Sequence, residues 1–143
     1  MVTLIPQLKA DIKQAFENLN NSFKNTTVKD AYEELPKEQY PLVVIHEINN
    51  AEIASRSTTQ GERTTDLGYQ FDVLTRATEE YTAKQGANYM LDIIQETLTP
   101  PNYMMLRGAR TPIIPDIRDN TIMTGNARYN CVYDYETNLI YKN

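Results

Sequence analysis

The sequence predicts an α+β fold: a mostly antiparallel β-sheet with two main helices packed on it and a long β-hairpin arm. Three observations carry that reading. Two stretches place apolar residues at helical spacing, and several others alternate apolar with polar residues as half-buried strands do. A seventeen-residue polar segment, Asn49 to Thr65, separates two of those strands. The chain of 143 residues suits a single domain, 1-143, with one hydrophobic core.

The first helix is expected over Leu4 to Leu19. There Leu4, Ile5, Leu8, Ile12, Ala15, Phe16 and Leu19 share a face, and Lys9, Asp11, Lys13, Gln14 and Glu17 fall elsewhere. Asn18, Asn20 and Asn21 mark its end, with Phe23 packing beneath the turn. Thr26 to Tyr32 reads as a short edge strand on the strength of Thr27, Val28 and Tyr32, against the weaker Lys29 and Asp30. Pro41 to Glu47 is an apolar, β-branched strand. Its partner follows the polar segment, where Leu67, Tyr69, Phe71 and Val73 alternate with Gly68, Gln70, Asp72 and Leu74.

The second helix is predicted from Glu79 to Leu98. Thr78 supplies a capping hydroxyl, Glu79 and Glu80 face the positive first turn, and Pro100-Pro101 stops the helix. Ala83, Ala87, Met90, Leu91, Ile94 and Leu98 form its apolar stripe. Gly86 costs roughly 1 kcal/mol of helix propensity relative to alanine, which implies close packing against the sheet or the first helix. Further strands are expected at Tyr103 to Arg107, around Ile113 and Ile114, at Thr121 to Asp134 and at Asn138 to Tyr141. On the longest of these, Ala127, Tyr129, Cys131 and Tyr133 share a face, and Gly125 is expected to hold a bulge.

Composition then narrows the function. Fourteen Lys and Arg against nineteen Asp and Glu give a net charge of −5, with the basic residues scattered, so tight binding to a phosphate backbone is disfavoured. No apolar run reaches membrane-spanning length, and the first residues lack the pattern of a secretory signal. A soluble protein made in a reducing cytosol is expected, in keeping with its one cysteine, Cys131.

Catalytic chemistry has little to work with. The one histidine, His46, neighbours Glu47, but adjacent strand residues point to opposite faces, and a hydrogen-bonded sheet histidine is the simpler reading. Cys131 has no basic partner specified by sequence and reads as packed. Asp116, Asp119, Asp134 and Glu136 lack the alternating order of a calcium loop and read as turn residues. The five glycines never approach the spacing of a phosphate-cradling loop. No catalytic residue, metal site or cofactor is predicted.

Recognition surfaces are better represented. A long polar segment inside a small domain is usually functional or disordered, so Asn49 to Thr65 is taken as a binding arm. Ile53 is its one large apolar residue, and Arg56, Glu62 and Arg63 are its charged contacts. The ten tyrosines combine an apolar ring with a polar tip, which suits strand faces and subunit contacts. Tyr129, Tyr133, Tyr135 and Tyr141 are the interface candidates among them.

The order of blocks adds a further expectation. A leading amphipathic helix is followed by Tyr40-Pro41-Leu42-Val43-Val44-Ile45 and a polar excursion. Next come Tyr69-Gln70-Phe71-Asp72-Val73 and a helix after Thr78. Asp119-Asn120-Thr121-Ile122, Ala127-Arg128-Tyr129 and Leu139-Ile140-Tyr141 close the chain. This order resembles the tail-terminator proteins of long-tailed bacteriophages, also called tail-completion or tail-to-head joining proteins, over nearly the whole chain. The resemblance implies a structural virion protein that forms a homo-hexamer ring on the head-proximal end of the tail. Its partners would be the tail tube protein and the head connector or stopper protein. The ring would end tube polymerisation and let DNA pass through its lumen without specific binding, after assembly in the host cytoplasm and with no membrane involved. Other readings remain: a different neck or minor tail component, a small cytosolic enzyme using Asp116, Asp119, Asp134 and Glu136, or a monomeric adaptor whose arm captures a peptide.

Overall fold

The computed structural model describes residues 5–34, 39–48, 64–98, 105–134 and 139–140. In chain order these form α1 (Ile5–Glu17), a 3-10 turn (Ser22–Asn25), β1 (Thr27–Asp30), β2 (Leu42–Ile48), β3 (Thr64–Thr75), α2 (Ala83–Leu98), β4 (Met105–Arg110), β5 (Ile114–Pro115), β6 (Met123–Asp134) and β7 (Leu139–Ile140). The fold is α+β, as predicted: two helices packed on a mostly antiparallel sheet.

The sheet runs β1-β2-β3-β6-β4, with β5 and β7 also paired to β6. Its centre is the antiparallel ladder of β3 and β6, unbroken from Thr64↔Asp134 to Thr75↔Met123. On one side β2 joins β3, from Ile48↔Gly68 to Leu42↔Leu74, and β1 lies parallel to β2. On the other side three separate pieces line β6: β7 opposite Tyr133 and Asp134, β4 opposite residues from Ala127 to Cys131, and β5 opposite Met123 and Thr124.

Alternation along each strand decides which side chains meet the helices. Val43 and Ile45 of β2, Tyr69, Phe71 and Val73 of β3, and Ala127 and Tyr129 of β6 all face inward and are fully or almost fully buried. Against them α1 lays Leu8, Ile12 and Phe16, and α2 lays Ala87, Met90, Leu91, Ile94 and Leu98. Burying each large apolar side chain is worth roughly 1.5–3 kcal/mol relative to leaving it in water, so this one layer carries most of the stability. Phe71 and Tyr129 meet edge to face with centroids 5.7 Å apart. Tyr129, expected at an interface, is thus a core residue, because its register partner Tyr69 lies under the helices.

The second helix begins at Ala83 rather than Glu79, and two threonines explain the difference. Thr78 does cap a turn, accepting from Glu80 N at 3.2 Å and Tyr81 N at 3.0 Å, but that turn does not continue as helix. Thr82 and Gln85 form a reciprocal capping box: Gln85 N donates to Thr82 Oγ1 at 3.2 Å and Thr82 N to Gln85 Oε1 at 3.0 Å.

Three other expectations change at glycines and strand ends. The ladder carries no bulge at Gly125; the irregularity lies on β4, between Arg107 and Arg110. Gly125 instead gives up its side-chain space to Ile113, whose Cδ1 occupies the place a Cβ would need. Thr64 and Thr65, assigned to the arm, are residues of β3 paired with Asp134 and Tyr133. The fourth predicted strand, placed at Tyr103 to Arg107, is described over Met105–Arg110.

Phe23 anchors the 3-10 turn to α2. Asn21 Oδ1 caps the turn by accepting from Phe23 N at 2.9 Å, and the fully buried ring packs edge-on to Tyr81 and Tyr89 with centroids 5.6 and 5.3 Å away. A Cβ on Gly86 would lie 2.8 Å from Phe23 Cζ and 3.4 Å from Thr75 Cγ2. Gly86→Ala gains roughly 1 kcal/mol of helix propensity but must displace a ring held on several sides, which costs about 1–3 kcal/mol. The expected outcome is a net loss of about 1 kcal/mol in urea unfolding. A midpoint that stays put or rises would show that the ring yields freely.

Candidate functional site

The sheet's outer face, opposite the helices, carries the most organised polar chemistry among the described residues. Register builds it. Val44, Asp72 and Asn126 form one row across β2, β3 and β6, and His46, Gln70 and Arg128 form the next. Their chain neighbours Ile45, Phe71 and Ala127 are buried on the inner face, so these side chains must point outward.

Four polar residues of the two rows, His46, Asp72, Gln70 and Arg128, join into one chain of hydrogen bonds, while the buried Oδ1 of the fifth, Asn126, has no hydrogen-bond partner among the described residues. His46 Nε2 lies 2.7 Å from Asp72 Oδ2, Gln70 Nε2 donates to Asp72 Oδ1 at 2.9 Å, and Arg128 Nε donates to Gln70 Oε1 at 2.9 Å. Both Asp72 oxygens are therefore engaged. The His46 and Asp72 side chains are 38% and 26% exposed, so the pair lies at the protein–water boundary rather than in the core. This answers what the lone histidine does: its partner is a carboxylate diagonal to it on the next strand, not its neighbour Glu47. Diagonal cross-strand pairs lie within reach of long side chains, and aligning Val44 with Asp72 is the signal that finds them.

At one end of this face Leu42, Leu74 and Ile122 form a small buried apolar cluster, flanked by Tyr40 and Val44. A cleft of about 530 Å³ opens over it, with Leu42, Val44 and Leu74 as apolar lining and His46 and Asp72 as polar lining. Lys29, Glu33 and Glu34 reach it from β1 and the turn that follows, and Arg118 from the segment between β5 and β6. Glu33 is bridged to Lys9 at 2.6 Å and its backbone carbonyl accepts from Lys29 Nζ at 3.1 Å. Charges of both signs meet here and partly cancel. Among the described residues the lining holds no hydroxyl or thiol for His46 to activate.

A second set of contacts ties the loops at this end. The Arg76 guanidinium lies 4.8 Å from the centroid of the Tyr40 ring and donates to Asp119 Oδ2 at 3.0 Å. Asp119 Oδ1 also accepts from Thr121 Oγ1 at 2.7 Å and Thr121 N at 3.0 Å. The Thr121 hydroxyl and backbone amide, followed by Arg76, favour the ionised carboxyl and lower its pKa from 3.8 to about 2.

The residues predicted from sequence fall differently. Ile53, Arg56, Glu62, Arg63 and Tyr141 lie outside the described residues, as does Tyr135. Tyr133 is placed by its backbone alone, between Thr65 of β3 and Ile140 of β7. The carboxylates do not converge: Asp116 pairs with Arg118 at 3.3 Å and Asp119 with Arg76 near the start of β6, whereas Asp134 ends that strand. Glu136 is outside the described residues. Among the described residues no group of three or more His, Cys, Asp or Glu is placed to hold a metal ion, and no helix is long and apolar enough to cross a membrane. No protein-family model matches this chain, and no curated protein is significantly similar to it.

The clamp at Asp119 predicts a specific acid response. A carboxyl whose pKa is lowered in the folded state contributes stability that is complete above its unfolded value, 3.8, and is lost as pH falls through about 2. Asp119→Asn removes that contribution. Thermal melts of the two proteins should differ most at pH 5 and converge on acidification between those two values. A difference that stays constant across that window would place the linkage elsewhere.

Proposed function

We propose that this chain is an assembly subunit of the tail-terminator type: a structural protein that caps a phage tail tube as a ring and docks the tail to the head. The observation that carries the reading is the outer sheet face. It has no helix over it among the described residues, yet four of its polar side chains are already joined in one chain from His46 to Arg128. A surface ordered before contact loses little side-chain entropy when a partner arrives, which favours specific docking. The block order supports the same reading, since both helices, the β2–β3 pair and the long β6 fall in the sequence positions that the tail-terminator resemblance requires. The net charge of −5 also suits a lumen through which DNA slides without adhering.

The role is mechanical rather than catalytic: the ring stops tube growth and presents a docking surface. Subunits that stay monomeric until a tube end templates them are compatible with it, so assembled tails are the proper specimen. Six-fold density at the head-proximal end, absent when the gene is deleted and restored by the wild-type chain, is the expected result. Tails of normal length that still join heads in the deletion would overturn the proposal.

The arm gives a separate prediction. Pairing of β2 and β3 ends at Ile48↔Gly68, whereas β3 starts at Thr64, so a shortened connection must still cover roughly 13 Å at about 3.3 Å per residue. Replacing residues 49–63 with an eight-residue Gly/Ser bridge satisfies that. Because loop-closure entropy changes slowly with length, circular dichroism and melting should match wild type. Counts of joined particles in a complementation assay should fall sharply, through loss of the contacts assigned to Ile53, Arg56, Glu62 and Arg63. Wild-type counts would make the segment an ordinary surface loop.

A further inference from the structure

Exposed apolar side chains gather at one end of the outer sheet face. Among the described residues Tyr32, Ile114 and Ile117 are large and apolar, yet 91%, 55% and 100% exposed. Strand register sets Leu42, Leu74, Thr124 and Ile114 in one row across β2, β3, β6 and β5, so Ile114 shares the end of the face at which the cleft opens. Ile117 precedes Arg118, and Tyr32 lies between Ala31 and Glu33; those three neighbours all line the cleft. A single exposed apolar residue is ordinary, but several around a recess floored by Leu42, Val44 and Leu74 mark a surface for association. The charges of this end are largely partnered within the subunit: Glu33 bonds Lys9, Asp72 bonds His46 and Arg118 bonds Asp116. Lys29 and Glu34 add one charge of each sign. The chain as a whole carries −5, but a copy of this mixed face turned through half a rotation can set opposite charges together.

We propose that this end of the outer face docks on the same face of a second copy, giving a closed two-fold dimer of the free chain in which Ile117 of each subunit enters the cleft of the other. The exposed apolar side chains and the recess lie side by side on one patch. A patch that meets itself about a two-fold axis is used up by the contact, so assembly stops at two. Ile117 leaves water for an aliphatic floor, and the paired charges around it can be covered without stranding an ion. The inference concerns the purified chain and requires nothing of the tail-end reading, whose own test is made on assembled tails.

The test is sedimentation equilibrium on the full chain from micromolar to millimolar concentration. A reversible monomer–dimer equilibrium with nothing larger is expected. Ile117→Asp should weaken it about tenfold or more, since the lost anchor counts once in each subunit. Ile117 is fully exposed, so the variant should keep the circular dichroism and melting of the parent. Tyr32→Ser should weaken association by a smaller factor. Asn88→Asp adds the same charge as Ile117→Asp at an exposed position of α2 and should leave the equilibrium unchanged. Monomer mass at every concentration would overturn the proposal, as would species larger than a dimer, a dimer undiminished by Ile117→Asp, or equal weakening by Asn88→Asp.

Discussion

The rest of the structure hangs on the antiparallel ladder of β3 and β6. Every other strand is attached to one of those two, directly or through β2, and α2 presses on the face they share while α1 packs beside it over β1 and β2. The ladder brings together residues some sixty positions apart in sequence, such as Phe71 and Ala127, so it demands a long loop closure before it yields anything. What offsets that cost is the inner row of Tyr69, Phe71, Val73, Ala127 and Tyr129, which has a place to be buried only once α2 folds back over it. Pairing and burial are therefore one event. The same register that buries Phe71 and Ala127 sends Asp72 and Arg128 outward, so the core determines the geometry of the candidate docking face.

Most of this could be read from the sequence because it rests on periodicity. The stripe Leu8, Ile12 and Phe16, the alternation from Leu67 to Leu74 and the stop at Pro100 concern one segment at a time, and the fold class follows from them. Facts that depend on two segments meeting were not legible. Tyr129 reads as interface or core with equal ease until Tyr69 is set opposite it. Gly125 invites a bulge until Ile113 is known to occupy its side-chain space. The start of α2 is a different case, for the capping box Thr82-Ala83-Lys84-Gln85 was present in the sequence and outcompeted Thr78. The candidate site was legible only in part: His46 stood out by being unique, but its Asp72 partner becomes visible only when β2 and β3 are aligned.

The outer sheet face mixes charge signs and satisfies most of its own hydrogen bonds, so it can approach a partner without stranding an ion.

The dividing of the outer edge of β6 among β7, β4 and β5 has a consequence for solubility. A twelve-residue strand with one bare edge would be a template on which further copies could add by backbone pairing without limit. Here that edge is covered, and the strands that cover it offer poor templates in turn: β7 and β5 are two residues each, β5 contains Pro115, and β4 is kinked between Arg107 and Arg110. At the far side β1 spans four residues. Backbone pairing is indifferent to sequence, whereas side-chain surfaces are not. With its described edges this short, the molecule is steered away from open-ended fibre growth and toward contacts in which a particular neighbour is recognised.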